Sequence, residues 1–277
     1  MIAEAQLPEQ IARSSELRLR SLMRSYGKVL VAYSGGVDSS YLALIATQEL
    51  GENAICVLGI SPSVSQAQRT EARSIAKEFG FALREIRTNE TDDPQYQANP
   101  TNRCYFCKTE LYSQLKRLAL ELDFEHVVDG TNADDLNGPR PGLVAAAENG
   151  VSSPLAEMGL KKSAIRVLSR AQGLSGWDKP SSPCLSSRVA YGVPVTIERL
   201  GQVERAEALL RHIGFREFRV RVHGDLARIE ISKCEMQKAL DQSILERIES
   251  GVEGLGFKYV TLDLEGFRSG SMNEVLK

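Results

Sequence analysis

Val29-Leu30-Val31-Ala32-Tyr33-Ser34-Gly35-Gly36-Val37-Asp38-Ser39-Ser40-Tyr41 decides how this chain folds. Five apolar residues, Val29 to Tyr33, read as a buried strand, and the apolar run from Tyr41 to Leu50 reads as a helix. Between them, Ser34 to Ser40 form a loop whose two glycines let the backbone turn tightly, so that amide and hydroxyl donors converge on one place. An anion held there also meets the positive end of the following helix, which makes the turn a phosphate site.

The loop has neither the Gly-Lys-Ser/Thr ending of a Walker A loop nor the GxGxxG spacing of a dinucleotide fold. It resembles the SGGxDS pyrophosphate loop of the ATP pyrophosphatases, with a complete match from Ser34 to Ser39. The resemblance implies cleavage of ATP between its α- and β-phosphates. It also implies that Ser34, Gly35, Gly36, Asp38, Ser39 and Ser40 surround the pyrophosphate, with Asp38 helping to hold Mg2+.

Composition sets the outer bounds. A chain of 277 residues can bury a substantial core and is expected to form two domains. With 34 Lys plus Arg against 36 Asp plus Glu, a broad nucleic-acid-binding surface is not indicated. No apolar run reaches the roughly 18 to 20 residues of a membrane span. Glu4, Glu9 and Glu16 interrupt the N-terminal apolar residues, unlike a signal peptide. The expected location is the cytoplasm, where five cysteines point to thiols, metal ligands or catalysis before disulfides.

In chain order, residues 7–25 read as an amphipathic helix covering the sheet, and 54–60 as a second strand. Ligands of open α/β sheets lie beyond the carboxyl ends of strands, which puts Gly59 and Ser61 against adenine and ribose. A helix over 66–79 and a strand over 82–86 continue the alternation of a doubly wound parallel sheet. A polar insertion, 88–103, leads to Arg103-Cys104-Tyr105-Phe106-Cys107-Lys108 and a helix over 108–122. A strand over 126–128 then opens into the turn Asp129 to Asp135. In pyrophosphate-loop enzymes this Gly-Thr-Asn turn, here with Thr131, faces the phosphates. Asp134 and Asp135 are therefore candidate Mg2+ ligands, because Mg2+ takes one or two carboxylates and completes its shell with water and phosphate oxygens. Arg140, in the adjoining loop, is placed to neutralise phosphate or an acidic substrate.

A helix over 163–171, entered through Lys161 and Lys162, precedes a Ser-, Pro- and Gly-rich stretch, 173–188, with few residues able to pack a core. The expected domain boundary lies near Val193, separating 1–193 from a smaller α+β domain, 194–277. The smaller domain reads helix (196–213), strand (215–222), strand (226–231), helix (235–250) and strand (259–264). Arg219 and Arg221 alternate with Phe218, Val220 and Val222, so the two guanidiniums share a strand face and suit a phosphate or carboxylates.

Cys104 and Cys107 form a C-x2-C pair, and Cys184 stands apart. A zinc site would want a second pair or nearby histidines. Three thiolates would leave one iron of a [4Fe–4S] cluster without a protein ligand, and a redox pair is the remaining alternative.

The loop 34–40, the cysteine segments 103–108 and 183–188, Asp129 to Asn132 and the ending 256–273 together resemble the LarE family of ATP-dependent sulfur transferases, over nearly the whole chain. The resemblance implies an adenine nucleotide alpha hydrolase-like fold. It implies adenylation of pyridinium-3,5-biscarboxylic acid mononucleotide by ATP, then displacement of AMP by sulfur to give a thiocarboxylate for the nickel-pincer cofactor of lactate racemase. Single-cysteine members give up the sulfur of the residue matching Cys184, whereas three-cysteine members, like this chain, imply a [4Fe–4S] cluster on Cys104, Cys107 and Cys184. Glu207, Arg219 and Arg221 are the matches for the substrate phosphate and metal, Arg188 is a further ligand-binding candidate, and a homo-oligomer, a hexamer, is expected. The other readings are a tRNA-thiolating or amide-forming pyrophosphate-loop enzyme, and a non-catalytic Fe–S or sulfur carrier protein.

Overall fold

All five residues of β1 (Val29–Tyr33) are buried, as an uninterrupted apolar strand must be when both faces of its sheet are covered. The computed structural model describes residues 2–138, 140–180, 182–268 and 270–276. Helix α1 (Ile2–Tyr26) precedes β1, and α2 (Val37–Leu50), β2 (Ala54–Ile60), α3 (Gln66–Glu78) and β3 (Ala82–Arg87) follow it. Next come α4 (Pro94–Gln97), α5 (Arg103–Leu122), β4 (His126–Asp129), α6 (Pro141–Glu148), α7 (Pro154–Glu157) and α8 (Lys162–Ala171). The chain closes with α9 (Ile197–Ile213), β5 (Phe218–His223), β6 (Leu226–Ile231), α10 (Met236–Ala239), α11 (Gln242–Glu253) and β7 (Tyr259–Leu262).

The chain forms two compact units. The first comprises Met1–Ser61, Gln66–Glu90 and Cys104–Ser182. Its four strands lie in the order β3-β2-β1-β4, all parallel, with Val29 opposite both Ala54 and His126. Alternate residues of β1 serve opposite faces. Val29, Val31 and Tyr33 join Cys56, Leu58 and residues of α1, α2, α3 and α8, while Leu30 and Ala32 join Val57, Val127 and residues of α5 and α6. Helices on both faces make this the expected doubly wound α/β sheet. Strand order reverses beside β1, so the carboxyl ends of β1 and β4 flank the crevice where such sheets bind ligands.

The second unit comprises Pro62–Ser65, Thr91–Arg103 and Pro183–Lys277. Its small sheet has the order β5-β6-β7, antiparallel between β5 and β6 and parallel between β6 and β7. Helix α9 packs on β5, and α11 packs on α9 and β7. The units part at Ser182, ahead of the boundary expected near Val193, and two earlier stretches belong with the C-terminal part. Hydrogen bonding explains the difference. Asn99 Nδ2 donates to the carbonyls of Val189, Ala190 and Val193, and Ala190 N donates to Val222 O on β5.

Several element boundaries differ from expectation. Helix α2 begins at Val37, because Gly36 is extended and Ser40 N closes the first turn on Gly36 O at 2.9 Å. Helix α5 begins at Arg103, whose N–H bonds Pro100 O, so both cysteines of the C-x2-C pair are helical. The helix expected over 235–250 is two helices, because the Asp241 carboxylate caps a new start by accepting from Ser243 N and Ile244 N. The stretch 173–188 contributes more to packing than its composition suggested: Leu174 and Leu185 are buried. Among the described residues no helix is long and apolar enough to cross a membrane.

Candidate active site

In the first unit, the β1–α2 turn is held by its own serines. Ser39 Oγ accepts from Ser34 N at 3.2 Å, lies 3.0 Å from Ser34 Oγ and donates to Gly36 O, while Ser34 Oγ accepts from Gly36 N. Gly35 has φ +75°, and a Cβ there would stand 2.7 Å from Ala72 Cβ on α3. Gly36 has an ordinary φ, and the nearest atom to its would-be Cβ is Ser34 Oγ at 3.4 Å. Gly35→Ala is therefore expected to destabilise the protein by about 2–4 kcal/mol, combining left-handed strain with overpacking, whereas Gly36→Ala stays within about 1 kcal/mol. Urea unfolding of both variants checks the contrast.

The β4 loop presses against the same turn. A Cβ on Gly130 would meet Ser39 N at 2.8 Å, so only glycine allows this approach. Asp129, buried at the end of β4, sets the loop by accepting from Tyr112 Oη, Thr131 N, Thr131 Oγ1 and Ser153 Oγ.

Asp38 lies in the first turn of α2, near the positive end of the helix. Its Oδ2 accepts from Lys162 Nζ at 2.5 Å and Asn132 Nδ2 at 3.4 Å, while its Oδ1 is buried with no hydrogen-bond partner among the described residues. Burial pushes this carboxyl above its ordinary value, opposed by Lys162. An unsatisfied carboxylate oxygen beside this serine-lined turn fits Mg2+, which takes one or two such oxygens and fills its shell from water and phosphate. The other two acidic candidates have structural partners. Asp134 Oδ2 accepts from Lys162 N, and Asp135 closes a capping box with Asn132 and pairs with Arg140 at 2.9 Å. Gly59 lies close against Leu111 of α5, and Ser61 Oγ donates to Glu90 Oε1.

Cys104 and Cys107 are three residues apart near the start of α5, so they share one helix face. This suits two thiolates of a common metal group, and Cys184 belongs to the second unit. Among the described residues no three His, Cys, Asp or Glu side chains are gathered as a metal site, and the cysteines form no disulfide.

The second unit gathers Arg188, Glu207, Arg219 and Arg221. Arg188 forms a forked pair with Glu207, Nε to Oε1 at 2.9 Å and Nη2 to Oε2 at 3.2 Å. Its Nη1 donates to the carbonyls of Pro183 and Cys184, so this side chain fixes the cysteine loop. Arg221 pairs with the fully buried Glu230 and donates to Ser187 O and Ser271 Oγ. Arg219 stacks over Phe267 at 5.0 Å. Burial, reinforced by Arg188 and Arg221, pushes its guanidinium down to about 10. Glu230 is shared with Arg228, at 3.0 Å, and Arg228 in turn pairs with Asp263, so the arginines of this unit form one charge network rather than isolated pairs. Tyr96 Oη lies 2.5 Å from Ser186 Oγ, and Arg103 Nη1 donates to Ser186 O, further fixing the loop after Cys184.

Residues 12–126 match the NAD synthase family. A protein of Lactiplantibacillus plantarum named pyridinium-3,5-bisthiocarboxylic acid mononucleotide synthase is 36% identical over 259 residues, covering 93% of each chain. The chain belongs to the LarE family. An uncharacterised protein of Synechocystis sp. is 45% identical over 94% of this chain and 98% of its own length. One from Methanocaldococcus jannaschii is 31% identical over 87% and 91%.

In this LarE-family chain, Lys162 and Glu230 hold central positions that sequence reasoning did not assign. A signal existed for Lys162, because a cation at a helix N-terminus opposes the dipole and calls for a nearby carboxylate. Glu230 offered none: inside a strand it reads as a solvated residue until Arg221 is seen beside it.

Proposed function

We propose that this chain is an ATP-dependent sulfurtransferase that acts on pyridinium-3,5-biscarboxylic acid mononucleotide. A substrate carboxylate oxygen attacks the α-phosphorus of ATP, the bond to the bridging oxygen breaks and pyrophosphate leaves. A sulfur nucleophile then attacks the acyl carbon, and AMP departs with the carboxyl oxygen to leave a thiocarboxylate, the group required by the nickel-pincer cofactor of lactate racemase. The observation that carries this reading is the likeness, over 93% of both chains, to a protein named as synthase of the bisthiocarboxylic product.

The roles follow from the local chemistry. Ser34, Gly35, Gly36, Ser39 and Ser40 would cradle the pyrophosphate by turning onto phosphate oxygens the amide and hydroxyl donors that now bond within the turn. Thr131 and Arg140 border the phosphates, and Gly59 and Ser61 meet the nucleoside. Asp38 would hold Mg2+, with Asp134 and Asp135 nearby; when bound, the ion neutralises phosphate charge. Arg219 would receive the substrate phosphate or carboxylates, while Arg188 and Arg221, whose donors are taken by Glu207, Glu230, Ser271 and main-chain carbonyls, hold the cysteine loop in place. Cys104, Cys107 and Cys184 would ligate a [4Fe–4S] cluster, which supplies an open iron for exogenous sulfide. The small anionic substrate accords with the balanced charge of the chain, and a cytoplasmic homo-oligomer is the proposed working form.

The test is pyrophosphate release from ATP with and without the pyridinium mononucleotide, on anaerobically reconstituted protein. Release that depends on the mononucleotide, with thiocarboxylate formed, is the expected result, and indifference to it overturns the reading. For the sulfur source, each of Cys104→Ala, Cys107→Ala and Cys184→Ala is expected to lose iron and sulfur transfer together while part of the ATP cleavage survives. Intact-protein mass before and after one turnover decides the alternative. A loss equal to hydrogen sulfide at Cys184, with no iron present, would replace the cluster with sacrifice of the cysteine.

A further inference from the structure

Lys162 is the residue whose position asks for an explanation beyond the reaction itself. Its ammonium lies 2.5 Å from Asp38 Oδ2, on the carboxylate proposed for Mg2+, while Asp38 Oδ1 is buried with no hydrogen-bond partner among the described residues. Its backbone N–H is tied to Asp134 Oδ2 at 2.9 Å, so the main chain at the start of α8 is anchored and the side chain alone is left to move. That side chain is 30% exposed, and the Asp38 side chain 18%.

We infer that Lys162 is the resident counter-ion of Asp38 in the nucleotide-free protein and hands that carboxylate to the divalent cation when nucleotide arrives. The inference rests on the pyrophosphate-loop reading of this turn. An ammonium and a divalent ion cannot both sit on one carboxylate without strong mutual repulsion. Asp135, a carboxylate, also acts on Asp38 and adds to the need for a cation. Without nucleotide the lysine meets that need and excludes the metal. When ATP brings its phosphates to the serine-lined turn, a flexible four-carbon stem lets the ammonium move to phosphate oxygens. Asp38 Oδ2 is then released, and both carboxylate oxygens become available to a cation that arrives with the phosphates. Metal and nucleotide thus enter together, and the nucleotide-free protein holds little metal.

The prediction is a pair of opposite effects from one substitution. Full-length protein is titrated with Mn2+ in the absence of nucleotide, with unbound Mn2+ read by electron paramagnetic resonance, and with MgATP by calorimetry. Lys162→Gln is expected to bind Mn2+ about tenfold more tightly than the unsubstituted protein and MgATP about tenfold more weakly. Adding Asp38→Asn to Lys162→Gln is expected to abolish the Mn2+ gain, which locates it. Lys162→Met serves the same test should the Gln variant not fold, and failure of both to fold would make the pair structural and overturn the inference. If the unsubstituted protein binds MgATP while Lys162→Gln leaves either affinity unchanged, the handover is wrong. Absence of MgATP binding by the unsubstituted protein instead overturns the pyrophosphate-loop reading beneath it.

Discussion

Asp38→Asn is expected to slow pyrophosphate release by at least about a hundredfold while leaving a folded protein. Removing one fixed electrostatic contact to a developing charge commonly costs 10²–10³ in rate, and the amide can neither neutralise a cation nor hold Lys162 by charge. The fold should gain from the change. Burial holds this carboxyl above its ordinary value despite Lys162, so the folded protein binds its proton more tightly than the unfolded chain does. The ionised form therefore costs stability, a cost absent below the unfolded value and complete above the folded one. At about pH 7 the Asn variant should melt higher than the unsubstituted protein, and at about pH 3, where the carboxyl is protonated in both states, the difference should vanish. Melting curves at both pH values, with pyrophosphate release measured on the same samples, check the two halves. Undiminished release would remove the turn from the mechanism.

The largest loss of stability is expected from Arg188→Ala, about 3–5 kcal/mol in denaturant unfolding. The two partners of the pair are 4% and 8% exposed, and removing one side of a buried pair strands the other charge in a poorly solvated place. Glu207 would keep a long contact from Val220 N, at 3.4 Å, and the attraction of Arg219, and the carbonyls of Pro183 and Cys184 would lose their common donor. Replacing both charges by apolar residues, Arg188→Met with Glu207→Leu, should recover most of the stability, because a buried pair is often no better than a packed apolar one. Sulfur transfer should not recover, since the carbonyls of Pro183 and Cys184 would still lack the Arg188 donor. A loss below about 1 kcal/mol for the single variant would mean that Glu207 finds water, and that the pair does not hold the loop.

The nucleotide half of the site was legible in the sequence because its chemistry is local. Ser34 to Ser40 are contiguous, and β1 and β2 announced themselves as apolar runs with the bounds the structure gives. The limits were of two kinds. Helix starts were misread where Asp38, Ser39 and Ser40, poor helix formers by propensity, occupy a first turn that the dipole and the loop hydrogen bonds favour. Partnerships between elements left no periodic trace: Lys162 meets Asp38 from 124 residues away, and Arg221 meets Glu230 across two paired strands. The arginine face of β5 was readable from alternation, whereas its buried counter-charges were not.

Asn99 carries a further consequence, one concerning synthesis. Its carbonyl partners lie roughly 90 residues later in the chain. At ribosomal speeds of about 5–20 residues per second, the segment holding Asn99, Tyr96 and Arg103 waits on the order of ten seconds for the residues that satisfy it. During that interval a buried-to-be asparagine with φ 54° and an arginine destined for the interior must remain hydrated. A chain released early, anywhere before Val189, would display this segment permanently, and such truncated products should be the preferred substrates of cellular proteolysis.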